Sequence, residues 1–109
     1  MFKFVETPTF THDVRIMTPI DDGYSEDVLR TTFYYLPSDE VAKFDLTTTE
    51  GTTDFLKAVV AGMHDLVAEN GAPLNYTEEL RDKLFRRTDV RKALGNHYLT
   101  AIAKVPEGN

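Results

Sequence analysis

The 109-residue chain is long enough for one domain with a modest core, and its 41% hydrophobic and 11% aromatic content excludes wholesale disorder despite 28% charged residues. It contains no cysteine, which excludes a disulfide scaffold and thiolate-held zinc or iron-sulfur sites. The net charge of −6 is uneven, with 5 basic and 13 acidic groups in residues 1–76 against 6 basic and 4 acidic in 77–92, which disfavours a general nucleic-acid partner.

The opening "MFKFVETPTF" lacks the run of about 7 to 15 apolar residues that a secretory signal needs, and no segment approaches the roughly 20 needed to span a bilayer. The expectation is a cytoplasmic protein with no membrane partner, in which the Asn75-Tyr76-Thr77 sequon has no use. "FKFV" is expected as a short edge strand, limited by Pro8. From Phe10 to Pro19 the residues alternate, with Phe10, His12, Val14 and Ile16 on one face and Thr11, Asp13, Arg15 and Met17 on the other, as in a half-buried strand. Asp22-Gly23 suits a tight reversal, and "VLRTTFYYL" is a second strand rich in β-branched and aromatic residues. An antiparallel hairpin over about residues 10–36 follows, with a third strand possible.

At Ser38 the period changes. Ser38 is expected to cap a short helix through "DEVAKF", and Thr52 or Thr53 a longer one reaching about Glu69. In the longer helix Phe55, Leu56, Val59, Val60, Met63, Leu66 and Val67 form one apolar stripe. Asn70-Gly71 reads as its left-handed C-terminal cap, and Pro73 blocks continuation. Thr77 should cap the next helix, with Leu80, Leu84 and Phe85 buried, and Thr88 or Asp89 the last, carrying Val90, Ala93, Leu94, Tyr98, Ala101 and Ile102. Gly95 weakens that helix by roughly 1 kcal/mol relative to alanine, which suggests close packing or bending there. The expected fold is a single α+β domain, a hairpin followed by three or four packed helices over about residues 38–105, with 106–109 frayed.

No local motif carries chemistry. His12, His64 and His97 lie far apart in the chain and match no metal-ligand spacing, and adjacent His64-Asp65 on a helix would diverge by about 100 degrees. "DDGYSED" fails the register of a calcium loop and reads as a solvated turn. Phosphate-loop, dinucleotide and nucleophile-elbow motifs are missing, so no enzyme activity, catalytic residue, metal or cofactor is expected. Binding must then rest on apolar and charged surfaces. Phe33, Tyr34 and Tyr35 are consecutive in a strand, so both of its faces carry rings. The basic cluster around Arg86, Arg87 and Arg91 suits helix-stabilising pairs, or head-to-tail self-association with the acidic front half of another copy.

Between Gly62 and Leu80 the chain resembles the tail assembly chaperones of long-tailed bacteriophages. The matching pieces are Gly62-Met63, Asp65-Leu66, Glu69-Asn70-Gly71-Ala72-Pro73-Leu74, Tyr76-Thr77-Glu78 and the closing "VRKALGNHYLTAIA"; the resemblance spans about residues 10 to 104. Met63 stands where that family often has tryptophan, which keeps an apolar anchor and removes an aromatic one. The resemblance implies a non-enzymatic factor of the host bacterial cytoplasm, not expected in the mature virion. It would bind the tape measure protein, assist the tail tube protein and self-associate. Tyr34, Met63, Leu66, Tyr76, Phe85 and Tyr98 are the candidate partner-binding side chains. The competing expectation is a small acidic inhibitor or nucleic-acid mimic acting on a host protein, although 18 acids against 12 bases make a weak mimic.

Overall fold

A computed structural model describes residues 1–104; the expected frayed tail at 106–109 lies outside them. Strands β1 (Thr9–Ile20) and β2 (Gly23–Tyr34) form a long antiparallel hairpin whose register runs from Thr9 opposite Tyr34 to Ile20 opposite Gly23. Asp21 and Asp22 make the turn, and Gly23 leaves it at a φ of 135°, a conformation open to glycine. The alternation expected from sequence holds. Val14, Ile16, Leu29, Thr31 and Phe33 are buried against the helices, and Thr11, Asp13, Arg15 and Met17 face away with Glu26, Val28, Arg30 and Thr32.

Helix α1 (Ser38–Val41) is a single turn. Ser38 does not cap it: Pro37 occupies the cap position, and no side chain supplies a capping bond. Helix α2 (Thr49–Val59) begins earlier than the sequence suggests because Thr48 is the cap, accepting a hydrogen bond from the Gly51 amide at 2.9 Å.

The largest departure from the sequence reading follows α2. The helix stops at Val59, ten residues short of Glu69, and Val60–His64 becomes strand β3, which pairs antiparallel with β2. Segment 38–105 is therefore not purely helical. Adjacent β-branched Val59 and Val60 followed by Gly62 form weak helix, and the free backbone edge of β2 offers a sheet instead. The apolar stripe misled because buried strand and buried helix share a dense apolar pattern: Val60, Gly62 and Met63 are all buried. A bulge leaves Ala61 as an extra residue opposite the Thr32–Phe33 step of β2. The sheet order is β1-β2-β3, so the third strand comes from here and not from "FKFV", whose residues are irregular.

Asp65, at φ 57°, turns the chain into a small ribbon of β4 (Leu66–Val67) and β5 (Pro73–Leu74). Asn70-Gly71 is thus the turn of a ribbon and not a helix cap. The Gly71 amide donates to the Ala68 carbonyl and the Asn70 side chain accepts from the Ala72 amide, while Gly71 takes a φ of 86°. Thr77 caps α3 (Glu78–Phe85) as expected, accepting from the Leu80 amide at 3.1 Å. Helix α4 (Thr88–Ala103) starts after Arg87 with no side-chain cap.

One core joins these parts: Val14, Ile16, Leu29 and Phe33 of the hairpin meet Phe55, Leu56 and Val59 of α2, Val60 and Met63 of β3, Phe85 of α3, and Val90, Leu94 and Tyr98 of α4. The result is an α+β fold, a three-stranded sheet covered on one face by helices. Of the two roles expected for Gly95, close packing is not found, since a Cβ there would meet no atom within 4 Å beyond its own helix and chain neighbours. Close packing does not require this glycine. Gly95→Ala should therefore raise stability by up to about 1 kcal/mol through helix propensity and a stiffer unfolded chain, read from denaturant midpoints at unchanged slope. A destabilised variant would mean that α4 needs to bend at this position.

Candidate functional site

The six apolar positions singled out from sequence separate by burial. Met63, Phe85 and Tyr98 are core residues exposed by 2% or less, so they hold the fold and present nothing to a partner. Leu66 and Tyr76 pack half-buried against that core. Only Tyr34 reaches the surface, at 37% exposure, and its carbonyl accepts a hydrogen bond from the Tyr98 hydroxyl at 2.8 Å. Sequence periodicity could not make this distinction, because Met63 lies on a strand and the aromatic ring of Tyr98 points into the core.

The arginines separate too. Arg87 pairs with Asp89 and reaches the Thr18 hydroxyl, and Arg91 donates to the Phe85 carbonyl at 2.9 Å, closing the end of α3. Asp89 also accepts from Thr18 at 2.7 Å, joining the start of α4 to β1. Burial tends to raise the Asp89 pKa, but the hydrogen bonds from Arg87, Thr18 and the Val90 amide outweigh it and hold the carboxyl below its ordinary value. Arg87 and Arg91 are thus engaged within the molecule. Arg86 is exposed, and its side chain makes no hydrogen bond or ion pair among the described residues.

Apolar surface accumulates elsewhere. Ahead of β1, Met1, Phe2, Phe4 and Val5 are exposed, Phe2 by 88% and Phe4 by 75%. The hairpin adds Met17, Ile20, Tyr24 and Val28, all at least half exposed. Met17 and Val28 share the sheet face away from the helices. The signal for these residues was present in the sequence, in the two-residue spacing of Phe2 and Phe4 and in the alternation of β1, but nothing there said which face the helices would leave open.

The open sheet face is otherwise polar. Thr11 and Thr32 hydroxyls lie 2.7 Å apart, and Thr32 continues to His64 Nε2 at 2.7 Å. Arg30 pairs with Asp13 at 3.0 Å and Arg15 with Glu26 at 3.3 Å. These exposed pairs add little stability but balance the charge of the face. On the helical side, an open cleft of about 320 Å³ lies between the start of α2 and α4, with Thr48, Thr52, Arg91 and Gly95 among its lining residues over an apolar floor of Phe55 and Leu99.

Chemistry-bearing side chains remain sparse. Among the described residues no three His, Asp or Glu side chains converge as a metal site. Two histidines do meet: His12 Nδ1 and His97 Nε2 are 2.9 Å apart although 85 residues separate them in the chain. Sequence spacing could not reveal that pair. Among the described residues no helix is long and apolar enough to cross a membrane. Compared with models of protein families, with curated proteins and with solved structures, the chain matches none.

Proposed function

We propose that this protein is a non-enzymatic tail assembly chaperone that binds the tape measure protein in the host cytoplasm and assists tail tube assembly. The observation carrying this reading is the exposed apolar set of Phe2, Phe4, Met17, Tyr24 and Val28 on an otherwise acidic front half. Apolar side chains that the fold leaves in water suit a client's hydrophobic helices, and a net negative surface keeps the complex dispersed. Support also comes from the order of elements around the matching pieces: two strands, helix α2, strand β3 carrying Gly62-Met63, a two-stranded ribbon turning at Asn70-Gly71, a helix capped by Thr77 and a closing helix. The ion pairs on the open sheet face weigh against a nucleic-acid mimic, which needs uncompensated acids in a row. Of the arginines named for self-association, Arg86 is the one whose charge remains free to meet another copy.

Replacing Phe2 and Phe4 together by alanine tests the reading. Co-expressed tape measure protein should be retained at least about tenfold less well, while the melting curve stays within the ±0.5 kcal/mol expected of surface changes. Undiminished retention by the folded variant would remove these residues from the binding surface. Retention of no tail component by the unmodified protein would end the proposal.

A further inference from the structure

We propose that His12 and His97 form an acid-sensitive latch between β1 and α4, closed while the two rings share a hydrogen bond and opened once both are protonated. This inference is independent of the client-binding reading above. Its basis is the contact itself. A hydrogen bond between two imidazole nitrogens 2.9 Å apart requires one N–H donor and one bare nitrogen acceptor. A neutral pair meets that requirement, and so does a pair carrying one added proton, which becomes a charge-assisted bond. The second proton removes the acceptor and leaves two cationic N–H groups facing each other.

Position makes the loss consequential. His97 stacks nearly parallel to Phe33 of β2, with interplanar angle 10° and centroids 6.1 Å apart, and His12 leans on Phe10 at 4.9 Å. Phe10 and Phe33 in turn contact Tyr98, so the latch sits on the rim of the aromatic core. The neighbouring charges give no relief. Lys104, at the end of α4, adds positive charge near His97. Asp13 and Arg15 of β1 line the groove beside His97, but Asp13 is already paired with Arg30 of β2 and Arg15 with Glu26. Tyr35 flanks the His12 side. Among the described residues, neither ring hydrogen-bonds a carboxylate.

Burial first, then the charges of His12 and Lys104, hold His97 below its ordinary value of 6.5. The folded state therefore binds fewer protons than the unfolded chain just below that pH. The associated stability is fully present above 6.5 and is lost as pH falls through the lower folded value.

The test is an NMR titration of the full chain from pH 8 to 4.5, following the His12 and His97 rings, alongside amide exchange across the β1–α4 seam. The His97 ring should titrate below the ordinary imidazole value of 6.5. Seam protection factors should fall at least about tenfold from pH 7 to 5 relative to those of the β2–β3 ladder. His97→Gln, which retains hydrogen-bonding groups but takes up no proton, should abolish that fall. If His97→Gln does not fold, the more exposed His12→Gln carries the same comparison. Titration of His97 at or above its ordinary value of 6.5, or an undiminished fall in the folded variant, would overturn the latch.

Discussion

Gly51→Ala is expected to destabilise the domain by about 3 kcal/mol or more, the upper end of overpacking costs. A Cβ at position 51 would lie 1.8 Å from the Asp45 carbonyl oxygen and 2.7 Å from its carbon, with the Thr48 hydroxyl at 2.9 Å. The obstruction is backbone, so no rotamer change relieves it. Nor is the loop free to retreat. The Asp45 carboxylate accepts hydrogen bonds from both the amide and the hydroxyl of Thr47, and Thr48 donates to the Asp45 carbonyl while capping the Gly51 amide. Moving Asp45 away would undo the turn and the first turn of α2, which carries Phe55, Leu56 and Val59 into the core. Chemical denaturation at unchanged slope reads the effect directly. A loss below about 1 kcal/mol would mean that residues 45–48 rearrange easily. The contrast with Gly95→Ala makes the pair informative: both sites lie in helices, yet the same methyl group should damage one and strengthen the other.

Truncation of Tyr98 should have a comparable effect. Its ring is fully buried, with centroids 5.5 Å from those of Phe33 and Phe55 and 5.9 Å from Phe10, so it joins sheet, α2 and α4. Its hydroxyl donates to the Tyr34 carbonyl at 2.8 Å and accepts from the Leu36 amide at 3.1 Å, pinning the chain as it leaves β2. Tyr98→Ala removes ring and hydroxyl together and should lower stability by about 3–5 kcal/mol. Tyr98→Phe keeps the packing but leaves two backbone groups without their partner, for about 1–3 kcal/mol. The difference separates what the ring contributes from what the hydroxyl contributes. Equal losses in the two variants would contradict the packing argument; no loss in Tyr98→Phe would mean that water reaches the two backbone groups.

What could be read from the sequence follows the range of the interactions. The hairpin was legible because strand alternation and the Asp22-Gly23 turn are local, and Thr77 was legible because a cap acts within one turn. Strand β3 was not, because its conformation depends on the free edge of β2, about thirty residues away. Until that edge is considered, Val60 and Met63 extend a helical stripe as well as they fill a strand. Asn70-Gly71 illustrates a similar ambiguity: a positive φ at glycine serves a ribbon turn and a helix cap equally, and the hydrogen bond from the Ala68 amide to the Ala72 carbonyl decides between them. For the surface, apolar residue type was visible but exposure was not. Met63, Phe85 and Tyr98 went to the core, while Met17, Tyr24 and Val28 stayed outside because the helices cover only one face of the hairpin. The His12–His97 contact lies furthest out of reach, since it exists only when α4 returns to the first strand.

Strand β3 pairs with β2 only between Arg30 and Phe33, so the outer backbone edge from Gly23 to Leu29 is unpaired within the three-stranded sheet. Such an edge is a template for uncontrolled strand addition between molecules. Here it ends in Asp21 and Asp22 and carries Glu26 on one face and Asp27 on the other, with Arg15 and Arg87 the nearby counter-charges. Two tips approaching edge to edge bring like charges together, a repulsion with a reach of about 8 Å at physiological ionic strength and about 3 Å at 1 M salt. Colloidal stability of the protein should therefore be ionic: concentrated salt, more than dilution or cooling, is the condition under which the hairpin edges become adhesive.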